Sequence, residues 1–139
     1  MRAGGLPALS SPTYTISEMT HAFTSVNTKY IFTSLSALTI VKATASTLSI
    51  PNERIFILDG EEKGFVSLGE LVEKGKEIGK WVNVLGWRIP EGKSNSEVCA
   101  VLCFSSGTTG LPKAVGLPLF FFSDPFSFQN IKREGKEMS

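Results

Sequence analysis

Histidine and cysteine are scarce in this sequence, and their scarcity removes several chemistries at once. The only histidine is His21, and the only cysteines are Cys99 and Cys103. No set of Cys and His ligands with zinc-site spacing can be built from them, so no metal centre of that kind is expected. His21 lies among residues with helical spacing, and no Ser-His-Asp arrangement is supported by its position, so it is read as a surface or packing side chain. The two cysteines are four positions apart in an apolar run of strand character. There they share a face at about 13 Å, too far for a disulfide. Small buried thiols in a reduced, intracellular and cytoplasmic protein are the expectation.

Long apolar runs are missing as well. None approaches the ~20 residues of a membrane-spanning helix. The opening Met1-Arg2-Ala3-Gly4-Gly5 has no apolar segment of the kind found in secretory signals. Neither membrane insertion nor secretion is expected. Charge of one sign does not dominate either, since 14 Lys and Arg face 13 Asp and Glu for a net +1. Nucleic acid and anionic membrane therefore have no electrostatic footprint, and any affinity for phosphate must be local.

What is present is a soluble, globular composition, 42% hydrophobic and 19% charged, unlike that of disordered or collagenous chains. At 139 residues the chain is long enough for one domain, and a compact chain of this size would bury roughly 70% of its unfolded surface. After a Gly/Pro/Ser-rich opening, Thr15 and Glu18 have capping-box spacing, and Ile16, Met19, Phe23 and Val26 follow at helical spacing. These predict a helix over 16–26. Tyr30 to Thr33 reads as a strand, and Ser34 then precedes a helical pattern through Leu35, Leu38, Val41, Ala45 and Leu48, closed by Pro51. Arg54 to Leu58 reads as a buried strand turned out by Asp59-Gly60. A second capping box, Ser67 to Glu70, opens a helix with Leu68, Leu71, Val72 and Ile78 on one face. No clear period runs from Trp81 to Ser96, where Trp81 and Trp87 are read as packing anchors. Val98 to Phe104 is a continuous apolar strand. Alternation of strand and helix predicts an α/β layered fold with a mainly parallel sheet.

Directly after that strand come Ser105-Ser106-Gly107-Thr108-Thr109-Gly110, all small and mostly hydroxyl-bearing, then Leu111-Pro112-Lys113. Gly107 and Gly110 allow successive N–H groups to converge on an anion, the hydroxyls add donors, and Lys113 adds a positive charge. On composition alone a plain surface loop remains an equal reading. The run is not a Walker A loop, because Pro112 precedes Lys113 and Ala114-Val115 follows where a helix should open. Gly-x-Gly-x-x-Gly is absent around it too. The residue before a proline is pushed towards extended backbone, so strand-loop-strand fits better than strand-loop-helix.

The run from Phe104 to Val115 resembles the signature of the AMP-binding, adenylate-forming superfamily, which includes acyl-CoA synthetases and coumarate-CoA ligases. Weaker similarity covers Ala3-Gly4-Gly5, the Ser11-Pro12-Thr13-Tyr14-Thr15 segment with Ser11 in place of the usual Asn, Lys29 to Thr33, and Arg54 to Phe56. The resemblance implies a partial layered α/β subdomain over residues 1–115, read as an internal, truncated piece of the family's N-terminal domain. It implies a reaction in which a carboxylic acid and ATP give an acyl adenylate and pyrophosphate, and the acyl group then passes to coenzyme A. Ser105, Ser106, Gly107, Thr108, Thr109, Gly110 and Lys113 are thereby assigned to the ATP phosphates, with Mg2+ nearby. A peroxisomal location is compatible with such an enzyme.

The family's adenine-, ribose- and acid-binding segments and its C-terminal lysine map to no position here, so no catalytic residue is assigned. Stable binding of ATP, Mg2+ or coenzyme A by this chain alone is not expected. Residues 116–139 are read as a divergent tail outside the family sequence, the product of an intron, a shifted frame or a natural truncation. A diverged strand with a polar terminus is the alternative. Two functional readings follow: a piece of an acyl-CoA ligase that is inactive alone, or a non-catalytic binding or regulatory chain derived from one.

Overall fold

In the computed structural model, which describes residues 4–79, 86–105 and 110–123, the chain opens with β1 (Ala8–Leu9), α1 (Ile16–Ser25) and β2 (Ile31–Thr33). A 3-10 turn (Leu35–Ala37) leads into α2 (Leu38–Thr47), and a second (Asn52–Arg54) into β3 (Ile55–Ile57). Then come β4 (Val66–Ser67), α3 (Leu68–Gly79), β5 (Cys99–Ser105), β6 (Lys113–Pro118) and a single turn, α4 (Phe120–Ser123). Trp81, Ser106 to Thr109 and most of the expected tail lie outside the described residues. The elements fall into two compact units, Ser10–Leu85 with Phe104–Ala114, and Met1–Leu9 with Gly86–Cys103 and Val115–Ser139.

The larger unit is built on β2, β3 and β4, paired in parallel with Ile31 opposite Ile55, Thr33 opposite Ile57, and Ile57 opposite Ser67. Alternation along a strand sends these residues to one face. There Ile31, Ile55 and Ile57 are buried against Met19, Ala22 and Phe23 of α1 and Leu38, Val41 and Ala45 of α2. The helical residues recur at three- and four-residue intervals, so each helix turns one stripe inward. Each fully buried Ile or Met contributes about 1.5–3 kcal/mol by leaving water. Phe104, near the end of β5, packs partly buried on the same core.

Local chemistry starts α1 and α3 as the sequence predicts. The Thr15 hydroxyl accepts from the Glu18 N–H at 3.3 Å, and Glu18 Oε2 accepts from the Thr15 N–H at 2.8 Å. Ser67 and Glu70 make the same reciprocal pair at 3.2 and 2.8 Å. A comparable bond, unnoticed in the aperiodic stretch, joins the Ser94 N–H to Glu97 Oε2 at 2.8 Å. Backbone and then hydroxyl donation, from Thr15 to Glu18 and from Ser94 to Glu97, holds both carboxyls below the ordinary glutamate range.

Three expectations change. Ser34 makes no capping bond; its hydroxyl pairs with that of Ser36 at 2.8 Å. The acceptor for this turn comes instead from Asp59, whose Oδ1 takes the Leu35 N–H at 2.7 Å. Gly60 follows at φ +152°, backbone that a residue with a Cβ rarely adopts, and a Cβ there would oblige the Leu35 side chain to shift. Among the described residues the apolar stripe of α3 is not buried: Leu71 is half-buried, and Leu68, Val72 and Ile78 are exposed. Finally, Cys99 and Cys103 are free as expected but only half-buried. The reason is the narrow sheet about β5, which β1 flanks over just Ala8 opposite Leu102 and Leu9 opposite Cys103.

β1, β5 and β6 form this second sheet, in the order β1-β5-β6, with β1 and β5 parallel. In the smaller unit the Leu119 N–H donates to the Val98 carbonyl at 2.8 Å. Trp87 lies over Gly4, where an added Cβ would come within 3.2 Å of the indole Cδ1. Trp87 is nonetheless 37% exposed, so this one contact does not make it the packing anchor expected.

Two measurements check this account. Thr44 is fully buried in α2, and its hydroxyl has no hydrogen-bond partner among the described residues. Replacing a buried, unpaired hydroxyl by a methyl removes a desolvation cost of about 1–3 kcal/mol. Thr44→Val, a swap between two β-branched residues of similar helix propensity, is therefore expected to raise the urea midpoint by the equivalent of about 1 kcal/mol at unchanged m-value. For Glu18 and Glu97 the folded state favours the ionised carboxylate. Their contribution is complete above the ordinary glutamate pKa of about 4.3 and is lost as pH falls through the lower folded value. Urea unfolding at a series of acidic pH values should show that loss, and Glu18→Gln, which keeps an acceptor but does not titrate, should flatten it.

Candidate functional site

The hydroxyl-rich loop is held between two strands that neighbour each other in one sheet. β5 delivers Ser105, exposed at its last position, and β6 begins at Lys113, also exposed. A connection this short joins antiparallel neighbours, since a parallel crossover takes a dozen residues or more. The strand-loop-strand reading therefore holds, and β5 does not continue into a helix as a Walker A strand would.

The far side of the loop is pinned by a residue that sequence reading used only to exclude a helix. Pro112 is buried while Leu111 and Lys113 on either side are exposed. Its fixed φ and apolar ring give the loop a rigid, anchored exit. The available signal was the step from an apolar pair to a charged residue at Leu111-Pro112-Lys113. Gly110, at φ +130°, adopts backbone that a residue with a Cβ resists. Of the predicted site residues, Ser105, Gly110 and Lys113 are thus described, and they bracket the loop; Ser106, Gly107, Thr108 and Thr109 lie outside the described residues.

Chemically, the described ends supply one hydroxyl and one ammonium. Among the described residues Lys113 has no ion-pair partner, so its charge is not already matched by a carboxylate. Donors and a cation without carboxylates suit an anion such as a phosphate, and no general base is present in the set. The same residues offer no carboxylate or imidazole to a divalent metal. His21 is on α1, half-buried, and forms no part of this arrangement. A separate depression of about 430 Å³, lined by Leu58, Gly60, Ser67, Leu68, Val72 and Glu73 among others, contains none of the loop residues.

The wider architecture has solved counterparts. A natural red-emitting luciferase from Phrixothrix hirtus matches 80% of this chain with 21% of its own, at TM-score 0.62 and 22% identity. Mycobacterium smegmatis MbtA matches 85% of this chain with 20% of its own, at TM-score 0.58 and 20% identity. At these identities the likeness concerns the fold. In sequence, a probable 4-coumarate–CoA ligase 2 from Dictyostelium discoideum is 28% identical over 119 residues, 82% of this chain. The chain spans 22% of that relative's length. The family model described as "AMP-binding enzyme" matches residues 1–119, beyond the Val115 at which the recognisable signature ends. With that match covering most of the sequence, the chain belongs to the AMP-binding enzyme family of adenylate-forming ligases.

Proposed function

We propose that this chain supplies the phosphate-binding part of an ATP-dependent acyl-CoA ligase site and does not complete the reaction by itself. The observation that carries the reading is the run Phe104 to Val115, which has the family's signature and begins and ends on neighbouring strands. In this reading Ser105, Ser106, Gly107, Thr108, Thr109 and Gly110 surround the β and γ phosphates, and Lys113 is their charged contact. These donors orient the pyrophosphate leaving group and offset the negative charge that builds on it as the carboxylate attacks. Lys113 acts through charge and not as a base.

Magnitudes set the limit on the chain alone. Three or four charge-assisted hydrogen bonds at about 1.5–3 kcal/mol each supply roughly 5–10 kcal/mol. Association costs an estimated ~4–15 kcal/mol, and ordering a glycine-containing loop costs about 1–2 kcal/mol per residue. The adenine, ribose and acid contacts that would tip this balance have no positions assigned in these residues. The carboxylic acid, Mg2+ and coenzyme A belong to the reaction the resemblance implies, and this chain holds none of them stably.

Calorimetric titration of the 139-residue chain with Mg-ATP is expected to show millimolar or weaker binding that Lys113→Ala weakens further. ATP–pyrophosphate exchange is expected to stay at background. Binding indifferent to Lys113→Ala would remove the loop's role, and exchange above background that Lys113→Ala abolishes would show that the chain is an enzyme on its own.

A further inference from the structure

We propose that Phe104 is a positioning residue of the phosphate loop: seated on the core of the larger unit, it aims Ser105 and Lys113 at one anion. The inference rests on the phosphate-binding reading of the run and adds to it a side chain that touches no ligand. Residues 104–114 group with the larger unit, although Cys103 before them and Val115 after them do not. Among the described residues of that excursion, Phe104 is the one whose side chain packs on the core that contains Met19, Ile31, Leu38 and Ile55. A two-residue pattern stands at each end of the loop. Phe104 is half-buried and Ser105 after it exposed; Pro112 is buried and Lys113 after it exposed. In extended backbone successive side chains point to opposite sides, so an apolar residue held inward turns the donor that follows it outward.

The composition of the loop does not supply this order by itself. Its residues from Ser105 to Gly110 are small, and Gly110, at φ +130°, has open space where a Cβ would lie. Gly110 therefore contributes backbone freedom and no packing. Placement of the donors comes from the flanks, and the two flanks differ in reach. Pro112 fixes its own φ and with it the direction of Lys113. Phe104 carries a large ring on only two side-chain torsions, so it fixes the strand end against the core at small entropic cost. Sites are sensitive on this scale, since a group misplaced by about 1 Å costs up to roughly a hundredfold. Loss of the ring leaves Pro112 holding the other end, so a partial effect is expected.

Titration of the full 139-residue chain with inorganic pyrophosphate, followed by the amide NMR shifts of Gly110 and Lys113, tests this. Phe104→Val, which suits a strand but removes the ring, is expected to weaken binding about three- to tenfold, and Phe104→Tyr to match the unsubstituted chain. Phe104→Leu keeps more apolar volume and should fold even where Phe104→Val does not, with a loss of about two- to fivefold. Ile31→Val trims the same core away from the loop; it should lower the urea midpoint and leave the affinity unchanged. Because Phe104 acts through the donors, Phe104→Val should cost less than about twofold in a chain that already carries Lys113→Ala. Unchanged affinity in the Phe104 variants, while Lys113→Ala weakens binding, would overturn this proposal alone. So would an equal loss from Ile31→Val, or an undiminished loss from Phe104→Val on top of Lys113→Ala. Binding that is absent, or indifferent to Lys113→Ala, would overturn the phosphate-binding reading and this inference with it.

Discussion

Ile31, Ile55 and Ile57 share one face of three short strands, and the larger unit depends on that fact. With only two or three residues per strand, there is no spare register. A slip by one position would turn Tyr30, Phe32 and Phe56 inward and expose the isoleucines. The parallel pairing is therefore fixed by which side chains α1 and α2 can receive. Those helices bring Met19, Phe23, Leu38 and Val41 to meet them. Phe104, at the foot of the hydroxyl-rich run, packs against the same core.

The two ends of the loop are made from ordinary parts. An apolar strand brings the chain to Ser105, a buried proline anchors its return, and the cation stands at the first position of the next strand. Rigid flanks lower the entropy lost when a glycine- and hydroxyl-rich stretch closes around an anion. The family relationship is consistent with that economy. The motif lies at the junction of two strands, in a chain that spans 22% of the length of the relative it matches in sequence.

Much of this was legible in the sequence where the cause is local. Thr15 with Glu18, and Ser67 with Glu70, announce helix starts because both partners of each bond lie within one turn. The stripes of α1 and α2 were equally plain. The signature from Phe104 to Val115 could be read because residue identity, not fold, carries it. What escaped depends on distant partners. Ala8–Leu9 and Val66–Ser67 become strands only beside β5 and β3 and have no pattern of their own. The stripe on α3 was visible, but whether anything packs on it is not written in α3. Similarly, Ser34 looked like the cap of the second helix, whereas the acceptor is 24 residues away in Asp59.

That long-range bond has a kinetic consequence. The start of α1 carries its own acceptor and can flicker into helix in the unfolded chain, at the cost of nucleation alone. The turn that leads into α2 cannot do so on the same terms. The acceptor for its Leu35 N–H arrives only when β3 has been laid beside β2 and the chain has turned at Asp59-Gly60. The loop between them must close first, at an entropic cost that no neighbouring residue offsets. Helix α2 and strand β3 thus belong to one cooperative step, and an element that looks autonomous by periodicity is conditional in assembly.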